Sequence, residues 1–249
     1  MIIPERERSK EPMKGERVLT HPDMQRANEW VLRKYQAPVR EFAVFVPCAK
    51  HKPYHLSPSH QMYDRVIFSI LKPEETHVVV FGTCGVTPRE LDTEYPYMDY
   101  EFMLGRCDVA SVKDEFIRSE SRKLAAYLEK TRESYNHRVA YCAGDFRKAM
   151  LKALTLTDVP VAVAPKEETL EANVQEGKHF RYGSLSRRPY LQDFSDALCD
   201  LKGFAGRVVN GGENLAGARL LAERLVTMPV HSRLSGEDLE RLQSSASAD

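Results

Sequence analysis

Neither sign of charge dominates this sequence: Lys and Arg number 36, Asp and Glu also 36, and the formal net charge is zero. A chain with no basic surplus has no bulk electrostatic pull on a polyanion, so only a local basic patch is left to draw it to nucleic acid. No apolar run reaches the ~20 residues a helix needs to cross a bilayer. Cysteine is sparse and odd in number, five in 249 residues and without a CxxC pair. That excludes a regular disulfide framework and the close ligand pairs of a structural zinc site. The first residues, "MIIPERERSKEPMKGER", are charged and carry no apolar core of an export signal. Reduced thiols, a cytoplasmic location and no membrane association are the expectation. There is no internal repeat. A hydrophobic content of 42% suits one large domain, or one domain with an appendage.

What is present alternates. Residues 1–20 read as a flexible charged lead-in. "HPDMQRANEWVLRKYQ" has helical spacing at Met24, Ala27, Val31 and Tyr35 and stops before Pro38. "EFAVFVPC" is an apolar run of strand length. "SPSHQMYDRVIFSILKP" predicts a helix with Ser57 as N-cap, Pro58 at its first position and Met62, Val66, Ile67, Ile70 and Leu71 as its buried stripe. "HVVVFGTC" is a second strand. "TPRELD" has the form of another helix start, with Thr87 as cap and Glu90 closing a capping box. Residues 92–111 are aromatic and aperiodic, and a loop that long is more often functional than idle. A long charged helix, a third strand "HRVAYC", a helix from "AGDFRKAMLKAL" and a fourth strand "VPVAVAP" follow. Short apolar strands alternating with helices predict an α/β fold with a parallel sheet covered on both faces over residues 21–165. Residues 166–249 read as an extension: a polar connector "RYGSLSRRPY", helices over 213–226 and 235–242, and a frayed tail.

In an open parallel sheet the chemistry sits beyond the carboxyl ends of the strands. Cys48, Cys84 and Cys142 end the first three strands, and the loop after Cys48 crowds Lys50, His51, Lys52, Tyr54, His55, Ser57, Ser59 and His60 into a dozen positions. No helix or strand period calls for that density. Buried packing explains the cysteines equally well, since a free cysteine behaves as a small hydrophobe. Capping likewise explains Ser57 and Thr87. A zinc ion on Cys48, Cys84 and His60 is a further alternative. The carboxyl ends of the first two strands are expected to form one pocket with Cys48, Tyr54, Ser57, His60 and Glu90 around it.

"PCAKHKPYHLSPSH" fits the pattern P-C-x3-K-P-Y-x2-S-x2-H at every fixed position: Pro47, Cys48, Lys52, Pro53, Tyr54, Ser57 and His60. In this it resembles the archaeosine synthase alpha subunit family, and "GTCGVTPRELDTEYP" resembles that family's second block at Gly85, Val86, Pro88, Arg89, Glu90 and Leu91. The resemblance covers about residues 40–165. It implies a three-layer α/β/α sandwich of uracil-DNA-glycosylase type, with a mostly helical carboxyl-terminal extension here. It implies an enzyme that adds an amine such as lysine to the nitrile of 7-cyano-7-deazaguanine in tRNA, after which a radical-SAM partner releases archaeosine. The transglycosylase-like and PUA tRNA-binding parts of that family have no counterpart in this sequence, nor does the CxxxCxxC of a radical-SAM enzyme. The tRNA is therefore expected to bind through a partner protein or through the modified base. Under this resemblance Cys48 is the nucleophile and His60 the proton carrier. Lys52 and Arg89 hold a carboxylate or phosphate, Glu90 or Asp99 the incoming ammonium, and Tyr54 and Ser57 line the substrate. No metal and no cofactor are expected. The alternatives are direct attack by the amine with Cys48 structural, a catalytically idle nucleobase- or nucleic-acid-binding module, and a regulatory or scaffold subunit of a split tRNA-modifying complex.

Overall fold

A computed structural model of the chain describes residues 2–172 and 185–210. Five strands, β1 (Arg40–Pro47), β2 (Thr76–Gly82), β3 (Gly85–Pro88), β4 (Tyr135–Tyr141) and β5 (Ala162–Ala164), form one sheet in the order β3-β2-β1-β4-β5. β1 lies at the centre, parallel to β2 and β4, with Phe45 opposite Val79 on one side and Ala140 on the other. β5 is parallel to β4. Every residue of β2 is buried, which is why "VVVF" is a run and not an alternation: helices cover both faces.

Side-chain parity separates the two layers. Phe45 packs edge-on against Tyr127 of α3 (Ala110–Lys130), and Phe81, on the same face, against Phe146 of α4 (Gly144–Leu154). Tyr141 points to the other face. It stacks on Phe194 of α6 (Arg188–Asn210), with ring centroids 4.3 Å apart, and meets Tyr63 of α2 (Pro58–Ile70). α1 (Pro22–Arg33) lies with α3, and the short α5 (Glu167–Ala172) packs against α6. As the residues demand, α2 begins at Ser57, whose Oγ accepts the His60 N–H at 3.2 Å, and Pro58 occupies the first position, where its missing N–H costs nothing. Its buried stripe is rotated from the expected one to include His60 and Tyr63, leaving Met62 only partly buried.

The structure differs from the sequence reading in three places. The sheet is mixed, because "TPRELD" does not start a helix. Thr87 pairs with Val80 inside β3, which runs antiparallel to β2, and only a 3-10 turn follows at Arg89–Leu91. The turn between the two strands needs Gly85, at φ +91°, where a Cβ would lie 1.9 Å from Asn28 Oδ1. Residues 2–20, read as a flexible lead-in, carry 3-10 turns at Glu5–Glu7 and Gly15–Thr20 and bury Ile3, Met13 and Val18. The core also continues beyond residue 165. α6, part of which was read as a polar connector, buries Tyr190, Leu191, Phe194 and Leu198 against α2 and the end of the sheet. The helices expected over 213–226 and 235–242 lie outside the described residues.

Candidate functional site

The site grows from the carboxyl ends of β1 and β2. The Cys48 N–H donates to the Phe81 carbonyl at 2.9 Å, which carries the strand pairing one residue past β1 and places the thiol over the β2–β3 turn. There Cys48 Sγ lies 3.7 Å from Thr83 Oγ1. Gly82 makes room for the thiol: at its φ of +152° a Cβ would sit 2.6 Å from Cys48 Sγ and 2.7 Å from the Phe146 ring. Tyr100, buried in the aromatic segment after β3, turns its hydroxyl to both Cys48 and Cys84 and bonds the Tyr54 hydroxyl at 2.8 Å. Lys52 covers this group. Its ammonium lies 3.5 Å from the Tyr100 ring centroid and donates to the Tyr100 carbonyl at 2.8 Å.

Behind these residues stands a second row. Tyr54 stacks on the His60 ring, with centroids 5.6 Å apart. His60 Nε2 donates to the Pro47 carbonyl at 3.0 Å, and Arg89 donates to His60 Nδ1 at 2.9 Å. A carbonyl only accepts and a guanidinium only donates, so the contacts fix one neutral tautomer. Arg89 also forks onto Asp64, at 2.9 and 3.1 Å. His55 meets the buried carboxylate of Asp92, which also accepts the His55 N–H at 2.9 Å and so ties the loop down from the outside.

The electrostatics follow from burial. Cys48 is only 6% exposed, and desolvation pushes its thiol up, offset in part by Thr83, Tyr100 and Lys52. Burial raises the Cys84 thiol too. Lys52 is pushed down by burial, against the pull of the two sulfurs. His60 falls to about 3, by burial first and then by the Arg89 charge. It is neutral at every physiological pH, with both nitrogens taken, so the expected proton carrier is a strut that holds Tyr54 and the end of β1. The zinc alternative on Cys48, Cys84 and His60 fails for the same reason: the imidazole has no free lone pair.

Of the other expected site residues, Lys52, Tyr54 and Cys48 are brought together, and Ser57 serves as the cap of α2. Arg89 is near but committed to Asp64 and His60. Asp99 is exposed in the turn after Pro96. Glu90 is in the wrong place. The β2–β3 hairpin pairs Pro88 with Val79, so the chain has returned to the amino end of β2 by the time Glu90 is reached. There Glu90 accepts from Tyr35 and lies 3.1 Å from His77 Nε2. Burial raises its carboxyl, but the hydrogen bond and charge of His77 and the Tyr35 hydroxyl win, and it falls to about 2. A depressed carboxyl stabilises the fold above its unfolded value, and that stabilisation fades as pH falls from about 4.5 towards about 2. Half-exposure screens the pair, so on the order of 1 kcal/mol is expected. In acid titrations followed by circular dichroism, Glu90→Gln should flatten that limb while leaving neutral-pH activity unchanged. An unaltered acid limb would disprove the assignment.

Sequence reasoning missed Tyr100, Thr83 and Asp64. Asp64 had a signal, sitting one helical turn after His60; Tyr100 lay in the aromatic segment 92–111 and Thr83 beside the strand-end Cys84, but nothing local singled out either one. All five cysteines are free thiols: Cys48, Cys84, Cys142 and Cys199 are buried and Cys107 is partly exposed. Thiol titration of the native protein should therefore find Cys107 reacting ahead of the rest, and titration after denaturation should find five. Fast labelling of Cys48 in the resting protein would mean that the loop stands open.

Fold and site thus define a mixed α/β domain that presents a cysteine–tyrosine–lysine cluster beyond its two central strands. The chain belongs to the DUF5591 family, described as a domain of unknown function, which matches residues 24–177. It is 33% identical over 85 residues to archaeosine synthase subunit alpha of Thermoplasma acidophilum, a stretch making up 33% of this chain and 16% of that protein. It is 25% identical over 181 residues to archaeosine synthase subunit alpha of Methanosarcina acetivorans, covering 72% of this chain and 26% of the relative. The chain thus spans about a quarter or less of the length of these curated relatives. Among solved structures it is similar to the crystal structure of AF0587, a protein of unknown function, at a TM-score of 0.40 and 20% identity, over 67% of this chain and 54% of that one. Among the described residues no helix is long and apolar enough to cross a membrane.

Proposed function

We propose that this domain acts in 7-deazaguanine modification of tRNA in the cytoplasm, adding an amine such as lysine to the nitrile of 7-cyano-7-deazaguanine on a scaffold of uracil-DNA-glycosylase type. The carrying observation is the convergence of the motif. Cys48, Lys52, Tyr54 and His60 are joined in one bonded group with Tyr100, the Pro47 carbonyl and Arg89. The chemistry needs a nucleophile at the nitrile carbon and a proton at its nitrogen. The Cys48 thiol adds across the triple bond: a C–S bond forms and the thiol proton passes to the nitrile nitrogen, with the Tyr100 hydroxyl beside the sulfur to carry it. The amine then attacks the thioimidate carbon, the C–S bond breaks, and the amine's proton returns to sulfur, leaving an amidine and a free thiol. No electron is gained or lost. Lys52 supplies the cationic surroundings that favour a thiolate once substrate parts the covering loop. A radical-SAM partner would act on the product, and a tRNA-binding partner would supply the affinity that zero net charge does not.

One observation favours a second reading, direct attack by the amine: Cys48 is buried and its thiol is pushed up. Incubation with the deazaguanine nitrile, free and in tRNA, with and without lysine, followed by mass spectrometry of protein and nucleoside, separates the two. A protein adduct without amine marks the thiol route, and amidine without an adduct marks direct addition. Neither product from either form of the nitrile would leave a binding module.

A further inference from the structure

A further buried carboxyl lies beside the cluster just described. Glu120, on α3, is 1% exposed and accepts the Gly82 N–H at 3.3 Å, on the residue before Thr83. Its other oxygen has Lys123 Nζ at 3.8 Å. Burial, only partly offset by Lys123 and the Gly82 N–H, pushes its carboxyl up to about 7. A structural ion pair has no need of a cavity, yet one is here. A space of about 40 Å³ is lined by Glu120, Thr83 and Lys123 inside and by Thr20 and Gln25, both exposed, at its mouth. That volume suits a water molecule or a group of similar size, such as an ammonium head, and is far too small for a nucleobase. The Tyr97 hydroxyl, fully buried and within electrostatic reach of Glu120 and Cys84, is turned to Thr87 and lies outside the cavity wall. Thr83 forms a wall of the cavity and bonds the Cys48 sulfur, so the space ends one side chain away from the thiol.

We propose that this cavity is the seat of the amine substrate: a primary amine enters between Thr20 and Gln25, its ammonium head bound by Glu120, on the side of Thr83 away from the Lys52 loop. This rests on the reading of Cys48 as the centre of an amine-to-nitrile reaction, and it gives the two substrates separate approaches. The nitrile comes under the loop that Lys52 covers, and the amine comes along α3. Glu120 takes a proton from the ammonium, which frees the nitrogen lone pair for attack. Lys123, itself a primary ammonium 3.8 Å from the same carboxylate, lines the space and shows the charge that the carboxylate accepts. A carboxylate that binds one cationic head in a low-dielectric space holds it by a charge-assisted hydrogen bond.

The test has two independent arms. Calorimetric titration of the full chain with L-lysine and with methylamine, without any nitrile, reads the cavity alone. Binding is expected for the unaltered protein, weakened about tenfold or more in Glu120→Gln, as loss of a charge-assisted bond implies. Gln25→Trp should weaken it similarly by closing the mouth. That substitution lies on an exposed helix face and gives up one exposed hydrogen bond, from Gln25 to the Leu19 carbonyl, so the test survives if Glu120→Gln is unstable. In the mass-spectrometric assay both variants should still form the Cys48 adduct, while amidine formation falls and the KM for the amine rises. Absence of amine binding to the unaltered protein, or binding that both variants leave untouched, overturns the proposal. Amine binding without any Cys48 adduct would leave this site standing and sink the thiol route instead.

Discussion

Replacing Cys48 by alanine is expected to abolish the covalent adduct and to cut amine transfer by roughly a thousandfold or more, as loss of a nucleophile does. Cys48→Ser should be nearly as damaging, because a hydroxyl is a far weaker nucleophile without a strong base, and His60, with both nitrogens engaged, is not one. Folding should hardly suffer. The thiol is one small buried atom, and its removal costs on the order of 1 kcal/mol. A normally folded Cys48→Ala protein that turns over at a substantial rate would assign the reaction to direct attack and Cys48 to packing. The expected pH dependence of the chemical step is a rise through neutral pH and above it, since burial pushes the thiol up and the thiolate is the reactive form.

The second large effect is structural and is tied to the first. Gly82→Ala should destabilise the domain by about 3 kcal/mol or more, combining backbone strain with overpacking. The new Cβ would meet Cys48 Sγ at 2.6 Å and the Phe146 ring at 2.7 Å, and neither has space to retreat, since both side chains are buried. Because one clash is with the sulfur, the double variant Gly82→Ala/Cys48→Ala should recover about 1 kcal/mol relative to the sum of the single changes. Chemical denaturation of the four proteins measures it. Strict additivity would mean that Cys48 and Gly82 are not in contact.

The cluster also explains why so reactive a set of side chains lies shut. Tyr54, Tyr100, Cys84 and His60 are each nearly inaccessible, and the cavity beside Thr83 admits no more than a small head group. Under the proposed reaction, a nucleobase reaches Cys48 only by displacing the loop from Lys50 to Ser57. Its outer tether is the half-exposed His55 on Asp92, a weaker hold than the buried contacts beneath.

Much of this was written locally. The apolar runs at 41–48 and 77–84 set the two central strands. Ser57 and Pro58 set the start of α2, and the crowding after Cys48 marked the loop that carries the cluster. Family resemblance added the membership of the motif, and Cys48, Lys52 and Tyr54 do come together. The stripe Tyr190, Phe194, Leu198 that buries α6 was legible at helical spacing too, though its polar flank "SLSRRPY" drew the eye to a connector.

What the sequence by itself determined is therefore which segments form elements and which residues are chemically able; the partner of each was decided by the tertiary structure. "TPRELD" has a capping box in its letters, but pairing Val86 and Thr87 with Phe81 and Val80 buries apolar edge and satisfies ladder hydrogen bonds, a larger gain than one cap. That choice alone carries Glu90 to the far end of the sheet and turns Arg89 towards α2. His60 is a proton carrier by type and a strut by position, because Arg89 and the Pro47 carbonyl, each distant in sequence, take its two nitrogens. Tyr100 and Glu120 reach the Cys48 neighbourhood only through the fold. Periodicity and capping act over a few residues and can be read from a string, whereas hydrogen-bond partnership and desolvation depend on which distant segments the chain brings together.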